Sequence, residues 1–177
     1  MNNKIIERLL TGLFITAVSV TFFSCKENSL ERQRKDELDK LNTYIRAHHA
    51  ELDRRPSGLY YIELEEGTGD SIKIGDRVQL FYDIWTLDSL KVRTSGRYEP
   101  LDMIVSHPND LGFSATEVQE IRALHEALTY MKKHSKALLI FDSGLGFGQN
   151  GTYGIAGFTP LMMEVEVYKV YSTQTQE

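Results

Sequence analysis

Apolar residues recur along this chain in two rhythms, and the change from one to the other divides it. From Leu30 to Leu52 there is no Gly or Pro, charged residues dominate, and Leu38, Leu41, Ile45 and Leu52 fall at helical spacing. That pattern predicts a charged helix with one narrow apolar stripe, stopped by Pro56-Ser57-Gly58. Such a stripe fits docking on the domain that follows, a plain spacer, or pairing with a second copy. From Leu59 the period becomes two. Leu59 and Tyr61 alternate with Tyr60, Ile62 and Leu64, then Glu65-Glu66 and Gly67-Thr68-Gly69-Asp70 break the run. Val78, Leu80, Tyr82 and Ile84 share one face of the next strand, with Gln79, Phe81, Asp83 and Trp85 on the other. Leu101, Met103 and Val105 alternate again, as do Ala137, Leu139 and Phe141, and Leu161, Met163, Val165 and Val167 against Glu164 and Glu166. These read as antiparallel strands with one core face and one wet face. Phe81 and Trp85 either lie under the N-terminal helix or form an exposed partner patch.

Between the strands, Val118, Ile121, Leu124, Leu128 and Met131 line one side of a predicted helix over roughly residues 115–133, with Ser114 or Thr116 as its cap. The expectation is an α+β domain: a bent antiparallel sheet wrapped around one helix and preceded by an N-terminal helix. Val78, Leu80, Tyr82, Leu128, Leu139, Val165 and Val167 are its expected core.

The first 24 residues change the picture of where the chain works. Lys4 and Arg8 precede a 15-residue, mainly apolar stretch from Leu9 to Phe23, and Ser24 precedes Cys25. This is the pattern of a secretory signal with an apolar core too short to span a bilayer comfortably. Phe22-Phe23-Ser24-Cys25 resembles a bacterial lipobox, in which the cysteine is acylated and becomes the new N-terminus. Cys25 is the only cysteine, so no intrachain disulfide forms, and acylation gives that thiol a use. Acyl chains contribute about 0.8 kcal/mol per buried methylene, so the expected anchor is a lipid bilayer gripped through Cys25. The expected divisions are a signal over residues 1–24, a polar linker and charged helix over 25–56, one domain over 57–171, and a polar tail over 172–177.

Charge and clustering exclude several chemistries. The whole chain has a formal net charge of −5; without Lys4, Glu7 and Arg8 it becomes −6, and no basic block is available to grip nucleic acid. Gly144, Gly146, Gly148 and Gly151 mimic a phosphate loop, but the run to Pro160 cannot open a helix onto an anion. His48 and His49 are adjacent and do not share a helix face. His107, His125 and His134 lack metal-site spacing and read as solvated. Asp70, Asp88, Asp102 and Asp110 are scattered rather than arranged as an acid–base pair. No metal and no cofactor is expected.

Several stretches carry a family resemblance. Ser57-Gly58-Leu59-Tyr60-Tyr61, Glu66-Gly67-Thr68-Gly69, Gly75-Asp76-Arg77-Val78, Glu126-Ala127-Leu128, Gly146-Phe147-Gly148 and the strand Leu161 to Val167 together resemble FKBP-type peptidyl-prolyl isomerases of the bacterial lipoprotein kind, over roughly residues 57–171. The resemblance implies the FKBP-like fold and an apolar pocket that rotates X-Pro bonds. It implies Tyr82, Ile121 and Phe147 as the catalytic positions, Ile121 through its backbone N–H and Phe147 in place of a tyrosine. Val92, Leu101, Leu124, Ile155 and Met163 would bind substrate. Here Val92 replaces an aromatic residue, Arg93 an acid, Leu101 and Met163 phenylalanines, and Leu124 a tryptophan, while residues 106–115 look like an insertion of about ten residues.

Rotation about a tertiary amide needs no nucleophile or metal. Its barrier of about 18–20 kcal/mol comes from resonance, and a pocket that strips water from the amide lowers it. The implied function is a membrane-anchored isomerase of weak activity. It would act on proline-containing or unfolded segments of exported proteins, in the cell envelope, lipid-anchored to a bacterial membrane, the outer membrane foremost. The alternatives are a non-catalytic lipoprotein that binds such segments as a chaperone or assembly module, and a purely structural envelope lipoprotein.

Overall fold

The computed structural model describes residues 29–173. The predicted signal and Cys25 lie outside them. The chain divides into two units after Asp36; of the first, residues 29–36 are described, and they are helical. That helix, α1, covers residues 29–48.

Within the second unit, eight strands follow: β1 (Tyr60–Glu65), β2 (Thr68–Ser71), β3 (Arg77–Thr86), β4 (Lys91–Thr94), β5 (Leu101–Ile104), β6 (Lys132–Lys133), β7 (Lys136–Phe141) and β8 (Leu161–Tyr171). The main sheet is six-stranded and runs β1-β7-β8-β3-β4, with β5 also on β3; every pairing in it is antiparallel. One strand serves two neighbours on the same side, because β5 pairs with Arg77–Leu80 and β4 with Asp83–Trp85. The short pair β2-β6 forms a second sheet.

The alternation predicts the inner face correctly. Val78, Leu80, Leu139, Val165 and Val167 have no exposed surface and pack with Leu128 in the main core, while Tyr82 is half-buried against it. The helix on that face is shorter than its apolar period implies. A 3-10 turn, Val118–Glu120, precedes α2 (Arg122–Leu128). Ile121 between them is extended, with φ −67° and ψ 116°. The reason is local. The Glu120 carboxylate accepts from the Thr116 N–H at 2.8 Å, the Thr116 hydroxyl at 2.9 Å and the Glu117 N–H at 3.3 Å, closing a separate turn. Neither Ser114 nor Thr116 caps α2. After α2 the chain is drawn into β6 rather than continuing as helix, although Val118, Ile121, Leu124, Leu128 and Met131 are all buried as the spacing implied.

The outer face is not uniformly wet. Leu41 and Ile45 of α1 are buried with Tyr60, Ile140 and Met162, and Tyr44, Leu52, Ile62, Trp85, Leu87 and Leu138 pack around them. Trp85 therefore lies with the helix residues, with the Lys91 ammonium 5.0 Å from its ring, and only the part of the face bearing Glu164 and Glu166 keeps its charges. Phe81 instead meets Tyr168, with ring centroids 5.7 Å apart. Of the uses open to the apolar stripe, docking is what residues 37–48 do.

Because both faces carry a core, a cavity on either should be costly. Leu139→Ala on the α2 side and Leu41→Ala on the α1 side should each lose about 2–5 kcal/mol in urea denaturation. A loss of only a few tenths in Leu41→Ala, beside a full loss in Leu139→Ala, would mean that α1 is not part of the folded unit.

Candidate functional site

The residues expected to form a site arrive from five elements and the loop before β8, and pack on one core. Tyr82 comes from the middle of β3. Its N–H donates to the Ser95 hydroxyl at 3.0 Å and its carbonyl accepts from the Ser95 N–H at 3.0 Å, which fixes the chain leaving β4 beside it. The phenol is half-buried, and burial pushes its pKa above the usual tyrosine range; the Arg93 guanidinium pulls it down and the Glu117 carboxylate pushes it up. Val92 and Leu101, from β4 and β5, are also partly buried against the core. Ile121 and Leu124, at the start of α2, and Met163 of β8 have no exposed surface, and Phe147 and Ile155 retain 2% and 5%. The sheltered apolar floor is thus packed shut, and Tyr82, Val92 and Leu101 carry the apolar surface that a ligand meets first.

The Ile121 N–H, the expected donor to substrate, is engaged: it donates to the Val118 carbonyl at 3.1 Å. Arg93 stands opposite Ile84 in the β3–β4 register, hence on the same face as the core residues. Its Nη2 donates to the Tyr153 carbonyl at 3.1 Å, while its Nε is buried without a partner.

Two loops are stitched together over this floor. The Ala115 N–H donates to the Gly146 carbonyl at 3.0 Å, the Ser114 hydroxyl to the Phe147 carbonyl at 2.8 Å, and the Thr152 hydroxyl to the Thr116 carbonyl at 3.1 Å. The approach is so close that a Cβ on Gly148, whose φ is +65°, would come within 2.4 Å of Ser114 Oγ. Residues 106–115, which look inserted in sequence, are therefore bound at both ends. At the other end, Arg122 Nε donates to the Pro108 carbonyl at 3.0 Å.

His125 completes that attachment, and here the sequence reading is corrected. It is not solvated but 1% exposed. The Ser106 N–H donates to its Nδ1 at 2.9 Å, so the ring proton sits on Nε2, which donates to the Gln119 carbonyl at 2.7 Å. A glycine-free apolar helix face with one histidine gave no sign of this; the signal would have been a backbone N–H in need of an acceptor. His48 is exposed and stacks near Tyr44, at 4.6 Å between ring centroids. Among the described residues no cluster of three His, Cys, Asp or Glu stands ready for a metal ion.

A second concavity was invisible in the sequence because it exists only where α1 docks. It is a mainly apolar groove of about 770 Å³ between Asp39, Lys40, Thr43, Tyr44, Ala47 and His48 on one side and residues 86–88 and 158–160 on the other. It shares no residue with the site around Tyr82.

With this geometry in view, residues 69–168 match the sequence profile of FKBP-type peptidyl-prolyl cis-trans isomerases, more than half of the chain. The chain belongs to that family. A probable FKBP-type peptidyl-prolyl cis-trans isomerase of Haemophilus influenzae is 29% identical over 157 residues, 88% of this chain, which spans 60% of that protein's length. An FK506-binding protein of Neisseria meningitidis serogroup B is 31% identical over 116 residues, 64% of this chain and 97% of that one. Among solved structures, FkpA from Escherichia coli superposes with a TM-score of 0.66 at 24% identity, covering 98% of this chain and 75% of its own, a likeness of fold. The FKBP fold thus places all eight family-implied pocket positions on one core. The side chains at these positions are apolar apart from the Tyr82 hydroxyl, and a surface of that kind can strip water from a group that rests on it.

Since His125 is held neutral by burial, with its pKa below the usual histidine range despite the hydrogen bond to Gln119, its effect on stability has a definite sign. The unfolded chain takes up the proton first, near pH 6.5, so stability should fall as pH drops from there toward the folded-state value. Thermal unfolding should show that slope in the wild type and a flatter one in His125→Asn. An unchanged slope would mean that His125 is not the group responsible.

Proposed function

We propose that this chain is a membrane-anchored peptidyl-prolyl cis-trans isomerase of weak activity, assisting the folding of exported proteins. The observation that carries the reading is the half-exposed apolar face of Tyr82, Val92 and Leu101 above the buried Ile121, Leu124, Phe147, Ile155 and Met163, within the segment that matches the family. An X-Pro bond resting on that face loses water, and loss of water favours the less polar, twisted amide. The Tyr82 hydroxyl accepts no protein hydrogen bond among the described residues and is left for substrate. Aliphatic side chains at Val92, Leu101, Leu124 and Met163 make the wall shallower than an aromatic one, and truncating large contacts costs on the order of 2 kcal/mol at binding hot spots. That supports slow turnover. Proline-containing or unfolded segments are the proposed substrates, without metal or cofactor. Acylation of Cys25 would hold the protein in the cell envelope, the outer membrane being the proposed site.

A second reading has an observation of its own. Tyr98, Phe113 and Tyr153 are almost fully exposed, on the segment after β4, on the segment before α2, and on the loop that meets Arg93. Exposed aromatic side chains on these three segments support a non-catalytic binding or chaperone role for extended polypeptide.

Exchange spectroscopy on a leucyl-prolyl peptide with the full chain in detergent separates the two. The expected result is slow but measurable interconversion, lost in Tyr82→Ala and raised in Val92→Phe, which restores an aromatic wall at a half-exposed place. Peptide binding without interconversion, weakened by Tyr153→Ala, would move the function to the chaperone reading. Palmitate labelling and membrane retention should both vanish in Cys25→Ser; their survival would end the lipoprotein reading.

A further inference from the structure

The side chain that fits neither reading as described is Arg93. Its guanidinium is always charged, it lies on the face shared with Ile84, two residues along β3 from Tyr82, and it has no carboxylate partner among the described residues. Its one hydrogen bond goes to the Tyr153 carbonyl at 3.1 Å, and its Nε is buried with nothing to bond. Lys91 on the same strand is satisfied by Asp83 at 3.0 Å, so the residual positive charge at the mouth of the site is that of Arg93, with Arg97 on the segment beyond. Glu117, on the loop before α2, acts electrostatically on Tyr82, yet among the described residues no ion pair joins it to Arg93. β4 is the edge strand of the sheet, so this charge stands at a rim that an extended peptide can cross.

The guanidinium charge has no carboxylate partner among the described residues, and an incoming carboxylate meeting its exposed Nη2 end, beside the Tyr153 carbonyl, compensates it best through a charge-assisted contact. We propose that Arg93 is a specificity-determining residue that selects polypeptide segments with an acidic side chain flanking the proline. The inference rests on the prolyl-peptide reading above. It assigns Arg93 no part in the rotation itself. Arg93 anchors the neighbouring carboxylate, so its contribution falls on capture of the peptide rather than on turnover of the bound peptide.

The test is a set of peptides with Glu, Leu or Lys immediately before the proline, and the same set with those residues after it. Binding is measured by calorimetry and interconversion by exchange spectroscopy, on the full chain in detergent. The expected result is that Glu on one side of the proline binds about three- to tenfold more tightly than Leu, with Lys weakest. That ranking should shrink in high salt, with KM rather than kcat carrying the difference. Arg93→Leu should erase the ranking, Arg93→Lys should keep part of it, and Arg93→Glu should reverse it toward Lys. The salt dependence of the wild type reads the same interaction without any substitution, so a variant that fails to fold leaves the test standing. Equal binding of all peptides at low salt, with the leucyl peptide still turned over, would overturn the selectivity and leave the isomerase reading intact. Glu-selective binding without turnover would uphold the selectivity and remove the isomerase. Absence of binding by every peptide would overturn both.

Discussion

The carboxylate of Glu37 ties residues 37–48 of α1 to the turn from which the site loop departs. Glu37 is 1% exposed and accepts both the N–H and, at 3.0 Å, the hydroxyl of Ser143. Ser143 is the hub of its turn, because its carbonyl accepts from the Gly146 N–H at 2.9 Å and the Gly148 N–H at 2.8 Å. Asp142 closes the same turn by accepting from the Gly144 N–H at 2.8 Å, and Arg54, in the segment between α1 and β1, pairs with Asp142 at 3.3 Å. Placing a carboxylate in a dry contact costs several kcal/mol unless donors surround it. Two of its donors are the backbone and side chain of Ser143, so that contact forms only when helix and turn are both in place.

From that turn the geometry propagates to the site. Phe147 follows Gly146 directly, and residues 114–116 are stitched to the carbonyls and hydroxyl of 146, 147 and 152. Those residues in turn lead through the Glu120 turn to Ile121 and α2. His125 and Arg122 then reach back to Ser106 and Pro108. The result is a closed circuit of loops around an apolar floor, in which an insertion adds support rather than slack. A surface of this kind binds by shape and desolvation, and leaves discrimination to the few polar groups at its edge.

What could be read from the sequence, and what could not, follows from the range of each signal. β3 and β8 announce themselves because alternation over 10 and 11 residues is a property of the strand alone. The floor residues Ile121, Leu124 and Met163 are legible for the same reason, since each sits on a periodic apolar face. The length of α2 is not, because Glu120 bonds to Thr116 and Glu117 as easily in a turn as on a helix. Leu138, Ile140 and Met162 belong to strands whose outer face reads as wet until α1 covers it. Glu37 and His125 are hidden for a sharper reason: a charged residue on a charged helix, and a histidine beside apolar ones, look solvated until their distant donors are known. Arg93 could be seen as a departure from the family pattern, but its unpartnered Nε is a fact of three dimensions.

α1 sets the site turn through Glu37, and amide hydrogen exchange in Glu37→Ala tests that most directly. The predicted result is faster exchange concentrated at Gly146, Gly148 and Ala115, whose N–H groups bond within the turn or across the stitched loops. The β7–β8 amides around Leu139 should remain close to wild type. Exchange that is unchanged at those three amides, or raised evenly through the sheet, would contradict it.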